Sequence, residues 1–193
     1  MPVNVRYSTT EGSQFILTGA PNFYCLDKTL IQTFDSTDQR KASWTKSIII
    51  GSDTFYYPFK YKIKSIPAGT SWDEYSIVIR LAELYLIRAE AELNSGNIED
   101  AIKDINIIRT RAGTNPYNGP KDEAALRLAV ERERRIELFT EWGHRWFDLI
   151  RTGRANDVLS SKSPDTWQLS DTLYPIPQAD ILANPNLTQN DGY

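Results

Sequence analysis

The chain has 193 residues, of which 40% are hydrophobic and 24% charged, ordinary proportions for one globular domain with a sizeable core. Its net charge of −3 supplies no basic field for phosphate backbones, which removes nucleic acid from the expected partners. A single cysteine, Cys25, excludes an intramolecular disulfide framework and a multi-cysteine metal site, and no run of apolar residues is long enough to span a bilayer.

From Met1 to about Thr70 short apolar and aromatic runs alternate with turn formers such as Thr18-Gly19-Ala20-Pro21, Asp35-Ser36-Thr37-Asp38 and Gly51-Ser52-Asp53, a pattern of loops and short strands. Ser47–Ile50 and Thr54–Tyr57 flank Gly51-Ser52-Asp53 closely enough for a hairpin. Ala68-Gly69-Thr70-Ser71 leads into a helix expected over Tyr75–Leu93, whose polar strip is narrow: Arg80, Glu83 and Glu90. Arg88 and Glu92 fall inside its apolar sector at i, i+4 spacing, which suggests that they pair with each other or with another buried partner. Gly96 offers a left-handed stop and Asn97 a cap for the next helix, Ile98–Arg111, with Ile98, Ala101, Ile102, Ile105 and Ile108 on one stripe. After a turn-rich loop from Gly113 to Pro120, a third helix is expected from Asp122 to about Glu141, and a short fourth one ends at Gly153. The tail from Ser160, punctuated by Pro164, Pro175, Pro177 and Pro185, reads as extended. The fold class is therefore mainly α, with an irregular loop-rich part containing short strands. The first two helices resemble a tetratricopeptide hairpin, with an aromatic at Tyr85, small Ala89, the turn at Gly96 and Ala101 at the crossing.

Four segments in order carry a more specific likeness: Arg-Leu-Ala-Glu-Leu-Tyr-Leu-Ile-Arg-Ala-Glu-Ala-Glu-Leu-Asn-Ser-Gly-Asn from Arg80, the helix ending Ile-Arg-Thr-Arg-Ala-Gly at Gly113, Glu-Arg-Glu-Arg-Arg-Ile-Glu-Leu-Phe-Thr-Glu-Trp-Gly-His-Arg-Trp-Phe-Asp-Leu-Ile-Arg-Thr-Gly from Glu131, and Tyr174-Pro175-Ile176-Pro177 followed by Gln189-Asn190-Asp191-Gly192-Tyr193. This arrangement resembles the carboxy-terminal part of the SusD/RagB family, surface glycan-binding lipoproteins of Gram-negative bacteria. The resemblance covers most of Asp35 to Tyr193; Asp191 departs from it, standing where the family's ending usually has proline. It implies that this is the carboxy-terminal piece of a longer, lipid-anchored protein on the outer face of the outer membrane. That protein would capture an oligosaccharide or polysaccharide and lid a SusC-like TonB-dependent transporter, for nutrient uptake. In that reading residues 1–74 form a loop-rich part of the ligand-binding face, and residues 75–193 form the helical region with its extended tail as one structural unit. Cys25 follows Ala-Pro-Asn-Phe-Tyr, not the apolar stretch of a lipoprotein signal, and is expected to be a small buried or half-buried side chain. The rival reading is a helical-repeat scaffold that binds only protein.

Catalytic chemistry finds little support in the residues. Glu133, Glu137 and Glu141 stack on one face of the third helix, whereas the two carboxylates of a glycosidase face each other across a cleft. Arg132 falls in the stripe of Ala125, Leu128, Ala129, Ile136 and Phe139, so the charged run reads as a structural salt-bridge network. His144 is the only histidine and builds no metal site, while its neighbours Arg145 and Asp148 are spaced to pair. No catalytic residue, metal or cofactor is expected. Aromatic rings remain, because sugars stack their C–H faces on them. Trp142, Trp146, Phe139 and Phe147 lie on helices and are expected in the core, as are Tyr56, Tyr57, Phe59 and Tyr61 in their strand-like run. Trp72, Trp44 and Trp167 are flanked by polar loop residues and are the candidate ligand-binding residues, in that order.

Overall fold

The computed structural model describes residues 5–6, 9–67 and 74–193, with the backbone alone at positions 5, 6 and 67. Trp72, the first candidate, lies outside the described residues, as does the turn at Ala68–Ser71. The chain gathers into two compact units, residues 1–142 and 143–193.

The first unit begins with a short strand, β1 (Val5–Arg6), and three one-to-two-turn helices, α1 (Thr10–Phe15), α2 (Lys28–Thr33) and α3 (Gln39–Trp44). Each helix is capped by the residue before it: Thr9, Asp27 and Asp38 accept from the backbone amides of Gly12, Thr29 and Arg40. The expected hairpin follows as β2 (Thr45–Ile50) and β3 (Asp53–Pro58), antiparallel with Ile50 opposite Asp53 and Gly51 at φ +60 in the turn. A further short strand, β4 (Ile66–Pro67), pairs with β1.

The first long helix, α4 (Leu81–Asn94), starts six residues later than the hydrophobic pattern suggests. Residues 74–80 form neither helix nor strand, the β-branched Ile77, Val78 and Ile79 being poor helix formers, and side chains satisfy part of their backbone. The Tyr61 hydroxyl accepts from the Ile77 amide, and the Trp142 indole donates to the Ile77 carbonyl, both at 2.9 Å. Gly96, at φ +80, turns the chain back into α5 (Ile98–Arg111), and Ala89 and Ala101 are fully buried in one cluster with Leu93, Ile102 and Ile105. The small residues at the crossing thus do what their size suggests. Asn97 caps differently from expectation: its side chain donates to Glu92. Arg88 is not buried with Glu92; its side chain is 59% exposed and holds the buried Asp104 of α5 through two 2.7 Å hydrogen bonds.

The third helix, α6 (Glu123–Glu137), is capped by Asp122 and closes the layer, placing Leu126 and Val130 against α4 and α5. Its C-terminal end, with Phe139 just beyond, meets Leu26, Leu30, Ile31 and Phe34 around α2. Its buried face is rotated from the apolar stripe: Glu133, Arg134 and Glu137 are inside, while Leu128 is 50% exposed and the Arg132 side chain 47%. Arg132 donates outward to Asp35 and the Thr33 carbonyl. Cys25 is exposed, contrary to expectation, in the loop before α2.

The second unit holds α7 (His144–Arg151), α8 (Ala155–Lys162), a 3-10 turn at Leu169–Thr172 and α9 (Gln178–Ala183). The tail is therefore not simply extended, and nine α-helices occur among the described residues where four are legible. The added ones are short and lack a full period. The two tail motifs clasp each other. The Gln189 side-chain amide accepts from the Ile176 amide at 2.8 Å and donates to the Ile176 carbonyl at 2.9 Å, completing a ladder between two prolines that have no N–H of their own. Asn190 donates to the Tyr174 carbonyl, and the Tyr193 hydroxyl to that of Leu173.

Candidate functional site

The charged run on α6 is the most heavily bonded part of the molecule. Glu137 is fully buried and takes three guanidinium groups: Arg80 on one oxygen at 2.7 Å, and Arg40 at 2.9 Å with Arg111 on the other. Arg40 is itself held bidentate by Asp38 and lies 2.7 Å from Glu133, whose other oxygen faces Arg109 at 3.4 Å. Glu141 receives Arg80 and Lys60. Burial alone would raise the Glu137 carboxyl, but the hydrogen bonds from Arg80, Arg111 and Arg40 outweigh it and hold the group down at about 2. Burial raises Glu133 above the usual carboxylate range despite Arg40, and it lowers Lys60 to about 8 against the pull of Glu141. Every carboxylate here is turned toward a cation, and the cavity that Glu141 borders, about 10 Å³, is too small for a sugar. The network is structural: it ties α3, α5, α6, the residue before α4 and the segment after β3.

Of the sequence-derived candidates, Trp44 is not an exposed loop ring. It ends α3, is half-buried beside Phe139 at 6.4 Å, and carries Lys60, Arg80 and Arg111 over its ring at 4.8, 5.7 and 5.7 Å. Trp167 is half-buried in the second unit. Its ring meets Trp146 edge-on at 6.4 Å, its indole N–H points to Asn156 at 3.2 Å, and Trp146 also packs on the exposed Tyr174. The rings expected in the core divide: Phe139 is 5% exposed, whereas Trp142 and Phe147 are 53% and 61% exposed. Asp148 pairs with Arg151 at 2.8 Å.

A better-formed site lies in the first unit, between α1 and α2. A cavity of about 610 Å³ is lined by the loop from Ile16 to Tyr24 together with Gln14 and Lys64. Gly12 brings α1 close to the segment that carries Lys64: a Cβ there would stand 2.4 Å from the Ile63 carbonyl, so glycine lets α1 lie directly on the 61–64 segment. Glu74 fixes that segment from the other side, accepting from the amides of Lys62 and Ile63 at 2.6 and 3.0 Å. The Lys64 ammonium then reaches back to the Ile16 carbonyl at the end of α1. At the far end of the loop, the Leu26 amide donates to the Tyr56 carbonyl of β3 at 2.7 Å. Between these anchors Phe23 and Tyr24 present rings that are 87% and 54% exposed, with Tyr24 braced edge-to-face on Phe15 at 5.9 Å. Exposed rings beside Gln14, Thr18 and Asn22 combine stacking surface with donors and acceptors for hydroxyl groups. A second open depression, about 760 Å³, runs along α5 from Glu99 to Arg111 and has no aromatic lining. Among the described residues no group of His, Cys, Asp and Glu could hold a metal ion, and no helix is long and apolar enough to cross a membrane.

Phe23 and Tyr24 are not singled out by a tryptophan-centred reading of the sequence. The usable signal is the same one that favours Trp72: rings set among Gly19, Pro21 and Asn22, with no helical or strand period to bury them.

A helical hairpin layer joined to a loop-rich part is a fold that solved structures share. The chain belongs to the SusD family, whose model matches residues 33–193. It is 32% identical over 141 residues to SusD-like protein P38 of Formosa agariphila, covering 68% of this chain and 27% of that protein. It is 34% identical over 133 residues to the starch-binding protein SusD of Bacteroides thetaiotaomicron, covering 60% of this chain and 21% of that protein. A SusD superfamily protein from Parabacteroides distasonis shares the fold with a TM-score of 0.69 at 23% identity, over 100% of this chain and 45% of that one. The chain thus spans less than a third of the length of these curated relatives.

Proposed function

We propose that the protein binds glycans at the bacterial outer surface for nutrient uptake, with the Phe23–Tyr24 cleft contributing to the binding face. The observation that carries the reading is the pair of exposed, braced rings at the rim of a cavity with amide and hydroxyl side chains. Family membership supports it, and one relative is named as starch-binding. Its mode of action is capture, not catalysis. Stacking holds the C–H face of a sugar, polar side chains select hydroxyl geometry, and release requires no covalent step. In the whole protein, a lipid anchor and a SusC-like TonB-dependent transporter would complete the uptake path. Trp72 and Trp167 are proposed as further stacking rings, and Trp44 only where its cation-covered ring becomes accessible.

The test is isothermal titration with maltooligosaccharides and with a panel of other neutral and acidic oligosaccharides. Phe23→Ala should weaken glycan binding about tenfold with an unchanged melting temperature, since an exposed ring adds little to the core. Unaltered affinity in Phe23→Ala and Tyr24→Ala variants would move the binding surface away from this cleft.

A further inference from the structure

We infer that the Phe23–Tyr24 cleft selects glycans that carry an anionic substituent, a carboxylate or a sulfate ester, through the ammonium group of Lys64. The inference rests on the glycan-binding reading above and adds the chemical class of the ligand. Among the described residues that line the cavity, Lys64 is the single charged one; the others are Gln14, the loop from Ile16 to Gly19 with Ala20, and Asn22 to Tyr24. The Lys64 ammonium is thus the formal charge that a ligand meets among these lining groups, while the nearby Glu74 carboxylate is taken up by the Lys62 and Ile63 amides. Charge focusing in a concave, partly apolar site strengthens the attraction of that ammonium for an anion.

The position of the ammonium supports a built site. Lys64 is half-buried, and its ammonium is steered by the Ile16 carbonyl at the end of α1, a bond that uses one of three N–H donors. That carbonyl is placed by α1, which is itself held close by Gly12 against Ile63. The lysine is therefore not a freely sweeping surface side chain. The nearest acidic residue on α1, Glu11, lines a different small cavity with Lys60 and Glu141, and its carboxylate receives the Ser76 hydroxyl at 3.1 Å. A sugar stacked on Phe23 or Tyr24 would sit at the cavity that Lys64 also lines, where a carboxylate or sulfate substituent can meet the ammonium. An oxyanion there gains a charge-assisted hydrogen bond that a neutral hydroxyl cannot make.

The experiment compares matched neutral and anionic oligosaccharides by titration: a galactose oligomer with the corresponding galacturonate oligomer, and a galactan oligosaccharide with its sulfated form. The two anionic arms separate a carboxylate from a sulfate as the recognised group. The wild-type protein should bind an anionic member about tenfold more tightly than its neutral partner, and this ratio should shrink as salt is raised. Lys64→Gln should bring the ratio close to one, and Lys64→Arg should keep it, with the melting temperature of each variant measured alongside. Phe23→Ala should weaken neutral and anionic ligands alike. Equal affinity of wild type for both members of each pair overturns the inference while leaving glycan binding intact, as does a ratio unchanged in Lys64→Gln. If Lys64→Gln unfolds, the salt dependence of the wild-type ratio decides by itself. Absence of binding to every oligosaccharide overturns the glycan reading and this inference together.

Discussion

Replacing Glu137 by glutamine tests the central ion-pair network, because one side chain there satisfies three guanidinium groups with none of its own surface exposed. The isosteric amide keeps the volume but removes the charge, leaving Arg40, Arg80 and Arg111 facing a neutral group. Removing one partner from a buried ion pair costs about 3–5 kcal/mol. A second, independent magnitude comes from proton linkage. The carboxyl titrates near 2 in the fold against 4.5 ordinarily, so its charged form contributes stability that is fully present above 4.5 and is lost as pH falls toward 2. That difference corresponds to about 3 kcal/mol. Urea unfolding monitored by circular dichroism at pH 7 should show Glu137→Gln less stable by about 3–5 kcal/mol. The gap between wild type and variant should then narrow by about 2 kcal/mol between pH 5 and pH 3, because only the wild type loses a charge at this position. A gap of the same size at both pH values would refute the electrostatic account and assign the loss to packing. Glu133 titrates in the opposite sense, its carboxyl being raised by burial and, in smaller part, by the charge of Glu137, so its own titration eases downward in the variant and makes a smaller contribution to the comparison.

Two further outcomes follow from the packing. Ala101 is fully buried where α4 and α5 cross, so Ala101→Leu should overpack the helix pair and cost about 1–3 kcal/mol in denaturant unfolding. Trp44→Ala should lower the melting temperature, with a loss on the order of 3 kcal/mol, since the ring packs on Phe139 and carries three cations; a loss of glycan affinity with no change in melting would restore it as a ligand platform.

The helical hairpin is legible in the sequence because its signals agree: apolar period, small residues at the crossing and a glycine that turns left-handed all point to α4 and α5. Where period and burial part company, the reading slips. On α6 the buried face is partly charged, and a wheel that equates polar with exposed rotates the helix, bringing Arg132 inside and sending Glu133 and Glu137 out. For Arg88 the i, i+4 spacing leaves Glu92 and another buried partner equally open, and only the fold shows that Asp104 across the hairpin is the acid it holds. The start of α4 is misplaced because Ile77, Val78 and Ile79 are apolar at every position and fit either period. For α1, α2 and α3 the informative residues are the caps Thr9, Asp27 and Asp38, not the short helices they begin. The candidate cleft is the least legible part: it depends on Gly12 meeting the Ile63 carbonyl and on Glu74 reaching back to Lys62, contacts that no local pattern announces.

The chain leaving α6 passes through two side-chain-bearing residues in the left-handed region, Thr140 at φ 57 and Trp142 at φ 41, on either side of Glu141. Such a conformation costs about 1–2 kcal/mol per residue for an L-amino acid, and more discomfort falls on a β-branched threonine. Glu141 is anchored by Arg80 and Lys60, from segments far away in the sequence, and the Trp142 indole by the carbonyl of Ile77. The bend is therefore not a portable module. A synthetic peptide from Glu123 to Arg151 would contain every residue of the bend and none of its three distant anchors, and it should relax to another backbone path. The shape of this connection belongs to the assembled layer, and a graft of the motif into another scaffold would have to bring Lys60, Ile77 and Arg80 with it.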